Sequence, residues 1–166
     1  MQKKMEEETQ YLTFLSGTEI FGVGILHVKE IKEYLTVTTI PMMPDFVKGV
    51  INLRGNVVPI IDLPVRFGRG KSTISKRTCV IIVEVEFDDE FMDIGILVDA
   101  VNEVIDIPAS AIEPAPSFGS KIRIEFISGI GKLENQFVIL LNINKVLSVS
   151  ELSAIEENVS SQAVSL

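Results

Sequence analysis

The sequence predicts an all-β protein built as two small closed sheets side by side, and three observations carry that prediction. Apolar residues make up 46% of the 166 and come mainly from Val, Ile and Leu, with no Trp, a bias toward pleated structure over helix bundles. Strand-sized segments follow one another with Gly, Asn and Asp turns between them, a pattern suited to closed sheets that leave no edge free to pair elsewhere. Finally, one stretch recurs. "GVINLRGNVVPIIDL" (49–63) lies over "GIGKLENQFVILLNI" (129–143) with Gly, Leu and Val identical at three positions and apolar matches along the second half. Upstream, "GILHVKEI" (24–31) resembles "GILVDAVNEVI" (95–105). Two copies of one unit, each of about 70 residues, account for the series.

The strands expected in order are "YLTFLS" (11–16), "EIFGVGI" (19–25), "LTVTTI" (35–40), "VVPIIDL" (57–63), "TCVIIVEVEF" (78–87) and "EFMDIGILV" (90–98). "EVIDI" (103–107), "IEFISGIGKL" and "QFVILLNI" (136–143) complete the series. Helical pieces are few. "PDFVKGV" (44–50) suits one or two turns with Pro44 at the first helical position, and "NINKVLSV" is a second short candidate. The tail carries a capping-box pattern, Ser148 with Glu151, followed by Leu152, Ile155 and Val159 at helical spacing. This predicts a terminal helix fraying into "SSQAVSL".

Charge and cysteine usage narrow the function classes. A formal charge of −8 argues against a nucleic-acid groove, which needs a concentrated basic face. The one cysteine, Cys79, cannot staple the chain to itself, which fits a reducing compartment. "MQKKMEEETQ" is polar throughout, and the apolar runs are strand-sized, far below the roughly 20 residues that cross a bilayer. A cytoplasmic protein is expected.

Arg54 is what the first copy of the repeat adds, since it falls opposite Glu134, and Gly55 falls opposite Asn135. A guanidinium offers a fixed fork of donors that holds a carboxylate better than an ammonium could. Glu30, or an acid of another chain, is the candidate partner; a hairpin-tip arginine in water is the plainer reading. Ile25, Leu26, Val28, Ile31 and Leu35 are too many apolar residues for one alternating face, and Met42, Met43 and Phe46 add a soft patch. A groove lined by Val28 and Ile31 and rimmed by Glu30 and Arg54 has an apolar centre and a charged rim, the anatomy of a protein contact. The same stripe also reads as the seam between the barrels, and the two readings are compatible.

Other motifs carry less. "GRGKST" (68–73) lacks the first glycine of a phosphate loop, because Val65 stands there, and it runs into a strand rather than a helix. Arg66, Arg69, Lys71, Lys76 and Arg77 make this a basic loop, suited to steering an acidic partner or simply solvated. His27 has no nucleophile motif or ligand set beside it. Asp88, Asp89 and Glu90 lack the spacing of a calcium loop. Binding is favoured over catalysis, and no cofactor or metal is expected.

"EIFGVGILHVKEI", "PDFVKGVINLRGNVVPIIDL", "IGILVDAVNEV" and "FISGIGKLENQFVILLNINKVL" together resemble the CheW family, the coupling proteins of bacterial chemotaxis, over residues 10–148. The resemblance implies two five-stranded, SH3-like barrels around separate cores and no enzymatic activity. Its implied partners are the regulatory domain of the histidine kinase CheA and the cytoplasmic hairpin tips of chemoreceptors, in arrays at the inner face of the membrane without insertion into it. Carried over by position, Arg54 matches the family's turn arginine and Glu30 the acid that pairs with it. Gly49 and Gly55 match glycines of the turn region, and Val28 an apolar residue near the receptor-binding groove, to which Ile31 adds from the residue reading. Kinase contact falls on the first barrel. The expected division is a first barrel mainly in 16–77, a second mainly in 78–144 with the N-terminal strand, and a helix and tail in 149–166. A free-standing adaptor is expected, with no receiver attached.

Overall fold

Short runs of β-branched and aromatic residues, broken by turn residues, form the strands of the computed structural model, which describes residues 9–34, 36–87, 89–115, 124–147, 151, 154 and 155, without the side chains of Phe87 and Ile124. In chain order the strands are β1 (Gln10–Ser16), β2 (Glu19–Gly24), β3 (Val28–Glu33), β4 (Val47–Leu53), β5 (Asn56–Asp62) and β6 (Cys79–Phe87). Then come β7 (Glu90–Val98), β8 (Ala100–Asp106), β9 (Ile112–Glu113), β10 (Ile127–Leu133) and β11 (Gln136–Leu141). One short helix, α1 (Leu63–Arg66), follows β5, with Pro64 tolerated in its first turn.

The strands make two sheets of the same wiring, β3-β6-β7-β5-β4 and β8-β1-β2-β11-β10-β9. In each, a hairpin (β4–β5 or β10–β11) meets a second hairpin (β6–β7 or β1–β2) through a parallel step, β5 to β7 or β11 to β2. Leu53↔Asn56 and Leu133↔Gln136 close the first hairpins. Each ladder then slips at the same rung, between Val47 and Gly49 and between Ile127 and Gly129. The repeat seen in the sequence is therefore a repeat in space, and its hairpin overlay has the structural register. The upstream overlay does not. Gly22, not Gly24, stands where Gly95 stands, each paired across the parallel step, with Leu140 and Ile60 respectively.

Both sheets close into barrels by the same device. Past β3 the chain bends over to β4, where Thr38 N donates to Val50 O (2.9 Å) and Val50 N to Thr38 O (2.8 Å). Past β8 it does the same through β9, where Glu113 pairs with Ile130. The sixth strand of the second sheet is thus the bent continuation of β8. Gly49 permits the closure, because a Cβ there would meet Thr38 O at 2.5 Å; at Gly129 a Cβ would meet Ile112 Cγ2 at 2.6 Å.

Three cores result. Leu53, Val58, Ile60, Val80, Ile82 and Leu97 fill the first barrel, and Ile107, Val138 and Leu140 the second. The largest lies between them, drawing Phe14 and Phe21 from one sheet, Ile61, Ile81 and Ile96 from the other, and Ile155 from the C-terminal helix. Each such side chain, fully buried, contributes about 1.5–3 kcal/mol. Separate barrel cores are present, but the shared core outweighs them.

Several local expectations are corrected. The division at 77/78 does not follow the sheets: Val28–Val98 builds all of the first barrel, inserted between β2 and β8 of the second. A parallel step needs a crossover, so the β6–β7 hairpin finishes the first unit instead of starting the next. "PDFVKGV" is not helical beyond a turn in which Val47 N donates to Pro44 O (3.0 Å); Val47 and Val50 enter β4, where branched side chains pack on the pleat. "LTVTTI" keeps one bridging residue, Thr38, and Leu35 lies outside the described residues. Glu151, Ala154 and Ile155 are helical; the rest of the expected tail, Ser148 included, lies outside the described residues.

Candidate docking site at the β4–β5 hairpin

Arg54 and Gly55 are the two loop residues of the β4–β5 hairpin, and both have positive φ, 52° and 85°. That geometry matches the twist of the flanking strands. Asn52 Oδ1 accepts from Gly55 N (2.9 Å) and fixes the turn. For Gly55 the conformation is free; for Arg54 it costs roughly 1–2 kcal/mol. In the second barrel the same rungs carry Glu134 and Asn135, neither at positive φ. The first barrel keeps a strained arginine where the second has none.

From this turn the Arg54 side chain reaches across to β3. Arg54 Nη1 donates to Glu30 Oε2 at 2.6 Å, and Lys32 Nζ stands 3.7 Å from Glu30 Oε1. β3 and β4 are the two edges of their sheet, so the pair straps the seam on the side away from the Thr38–Val50 bridge. The Arg54 hydrogen bond, more than any other influence, holds the Glu30 carboxyl below its ordinary value of 4.5. Arg54 remains 73% exposed while Glu30 is 24% exposed, leaving much of the fork available to another molecule.

The structure brings Glu30 and Arg54 together but divides the other expected residues. The bulge in β3 pairs Val28 with Val83 and Ile31 with Ile81, on the face toward the shared core. Glu30 and Lys32 pair with Ile82 and Val80, on the face toward the barrel interior. The expected groove with Val28 and Ile31 inside a Glu30–Arg54 rim is therefore corrected: the ion pair lies on the opposite face of the strand. Val28 and Ile25 pack on the shared core, while Leu26 and Ile31 are exposed; seam and surface readings hold on different residues. Gly49 is buried beneath Thr38, at the other end of β4 from the turn, so it shapes the site without belonging to its surface. Of the soft patch, Met42 is exposed, whereas Met43 and Phe46 join the shared core.

Lys32 was missed, although Glu30 and Lys32 two apart on a strand signal a shared face. Lys29 was missed as well. Its ammonium bonds both oxygens of Asp93 (3.1 Å each) and stands 3.7 Å from Glu84, separating two acids that sit directly opposite on β6 and β7. The Asp93 hydrogen bond, above all, raises its pKa. Of the basic loop, Arg66 and Arg69 are not free to steer a partner: they pair with Glu151 (2.9 Å) and Glu19.

A cleft of about 260 Å³ is lined by Tyr11, Leu26, His27, Ser128, Asn142 and neighbours. Among the described residues no carboxylate lines it, and the Ser128 hydroxyl donates to Leu140 O (3.2 Å). Among the described residues no three His, Cys, Asp or Glu side chains are placed to share a metal ion, and no helix is long and apolar enough to cross a membrane.

Known proteins are similar to this chain. A family profile described as CheW-like domain matches residues 10–151. "Chemotaxis protein CheW" of Klebsiella aerogenes is 40% identical over 147 residues, covering 89% of this chain and 86% of that protein. "Protein FrzA" of Myxococcus xanthus is 28% identical over 149 residues, covering 89% and 91%. The crystal structure of the scaffolding protein TtCheW from Thermoanaerobacter tengcongensis superimposes with a TM-score of 0.77 at 36% identity, covering 87% of this chain and 90% of that one. With the profile spanning both barrels and the closing segment after β11, the chain belongs to the CheW family.

Proposed function

We propose that the protein is a chemotaxis scaffold that links the cytoplasmic tips of chemoreceptors to the regulatory domain of the histidine kinase CheA and catalyses nothing itself. One observation carries this reading. Two barrels of one topology present unlike chemistry at the same place, a Glu30–Arg54 strap in the first and Glu103 with Glu134 at the matching positions of the second. Unlike preformed faces on one body suit the joining of two different proteins. Receptor rearrangement then biases the kinase between packings through the fixed geometry of the scaffold, and weak single contacts gain strength when several are engaged together. Arg54 and Glu30 serve receptor contact on this reading, Val28 seats β3 on the shared core from its other face, where Ile31 is exposed, and Gly49 and Gly55 shape the strand and turn. The protein works in the cytoplasm, recruited to receptor arrays. The test is a pull-down with receptor cytoplasmic fragments and the kinase regulatory domain of the same organism: retention of both supports the reading, and retention of neither removes it.

A further inference from the structure

The loop leaving β5 ties the two barrels by directional contacts. Asp62, buried at the end of β5, accepts from Ser72 Oγ (2.7 Å) and Ser72 N (3.1 Å), which pins both ends of the intervening segment. Inside it, Leu63 and Phe67 enter the shared core, where Phe67 stacks between Phe21 (5.7 Å) and Phe126 (6.0 Å) of the second barrel. Arg66 Nε donates to Val146 O (2.7 Å), and its Nη2 to Glu151 Oε1 (2.9 Å). The guanidinium carbon stands 4.8 Å from the Phe46 ring of the first barrel and 4.7 Å from the Phe126 ring of the second. Arg69 pairs with Glu19 on β2. Apolar burial has no preferred direction of its own, and close packing of the shared core only limits the mutual rotation of the barrels. A planar guanidinium held between two rings and two acceptors does fix it.

We propose that Arg66, with Arg69 beside it, is the positioning residue that sets the angle between the two barrels. The angle determines how two docking faces are presented, and that consequence rests on the scaffold reading above. The angle itself is measurable without any partner, so failure of one is distinct from failure of the other. Nitroxide labels at the exposed positions Glu33 and Asn135, one on each barrel, in a Cys79→Ala background report it by pulsed electron–electron double resonance on the full chain. The parent should give one narrow distance. Arg66→Met should shift or broaden that distance beyond the parent's width while circular dichroism shows the sheets intact, a change that lost stability alone would not produce. An unchanged distance in folded Arg66→Met overturns the proposal. If that variant does not fold, the milder double variant Glu151→Gln/Arg69→Gln decides in the same way: a broadened distance supports the proposal and an unaltered one overturns it.

Discussion

Gly49→Ala should damage the fold more than its modest size suggests, and its counterpart Gly129→Ala should not. A Cβ at position 49 would stand 2.5 Å from Thr38 O, a backbone atom that moves only if the closing strand moves. That displacement strikes the two hydrogen bonds sealing the first barrel, of 2.8 and 2.9 Å, each contributing about 1 kcal/mol. Residual overpacking adds about 1 kcal/mol, the low end of its usual range, so the total is roughly 3 kcal/mol. At position 129 the nearest atom, 2.6 Å away, is a methyl of the half-buried Ile112, which can rotate aside, and the backbone oxygen of Glu113 at 3.1 Å needs to give by only a few tenths of an ångström; a cost of about 1 kcal/mol follows. Equilibrium urea unfolding measures both. With an m-value of about 2 kcal/mol/M, the midpoint should fall by roughly 1.5 M for Gly49→Ala and 0.5 M for Gly129→Ala. A Gly49→Ala midpoint within about 0.3 M of the parent, or a larger loss at Gly129, would refute the closure argument.

Arg54→Ala should leave the cooperative unfolding transition in place yet abolish detectable binding of a receptor fragment in a calorimetric titration; equal affinity for variant and parent counts against the docking role. Gly55→Ala places a side chain at φ 85° and should cost about 1–2 kcal/mol, read by the same urea assay. Because the Glu30 pKa is lowered on folding, its stabilising contribution is complete above the ordinary value of 4.5 and is lost as pH falls through the lower folded value. An NMR titration of the Glu30 carboxyl should show a midpoint below 4.5 in the parent and a return toward it in Arg54→Ala. Val28→Asp puts an unpaired charge against the shared core, so it should lower the unfolding midpoint; an unaltered midpoint argues against its packing.

The hairpin repeat was legible because a turn and a two-residue side-chain period together set register. Gly49, Leu53 and Val58 therefore overlaid Gly129, Leu133 and Val138 in their structural positions. The upstream overlay slipped because Gly-Ile-Leu is ordinary apolar sequence, whereas the features that mark Gly22 and Gly95, close side chains across a parallel step, are tertiary. β3 was hidden by "VKEIKE", charged on an edge strand where pairing is blunted and hydrophobic alternation is weak. Arg54 and Glu30 were legible as complementary chemistry. The face they share was not, because a single bulge in β3 inverts it. Arg66 read as one of several loop bases because its acceptors, Val146 and Glu151, lie 80 and 85 residues away in the chain.

The central claim, that one body carries two independent docking faces, is tested most directly by sedimentation velocity of the protein mixed with a receptor cytoplasmic fragment and a kinase regulatory domain. A heavier species containing all three, formed at stoichiometric mixing and lost in Arg54→Ala, is the predicted result. Displacement of one partner by the other, with no species larger than the binary complexes, would contradict it.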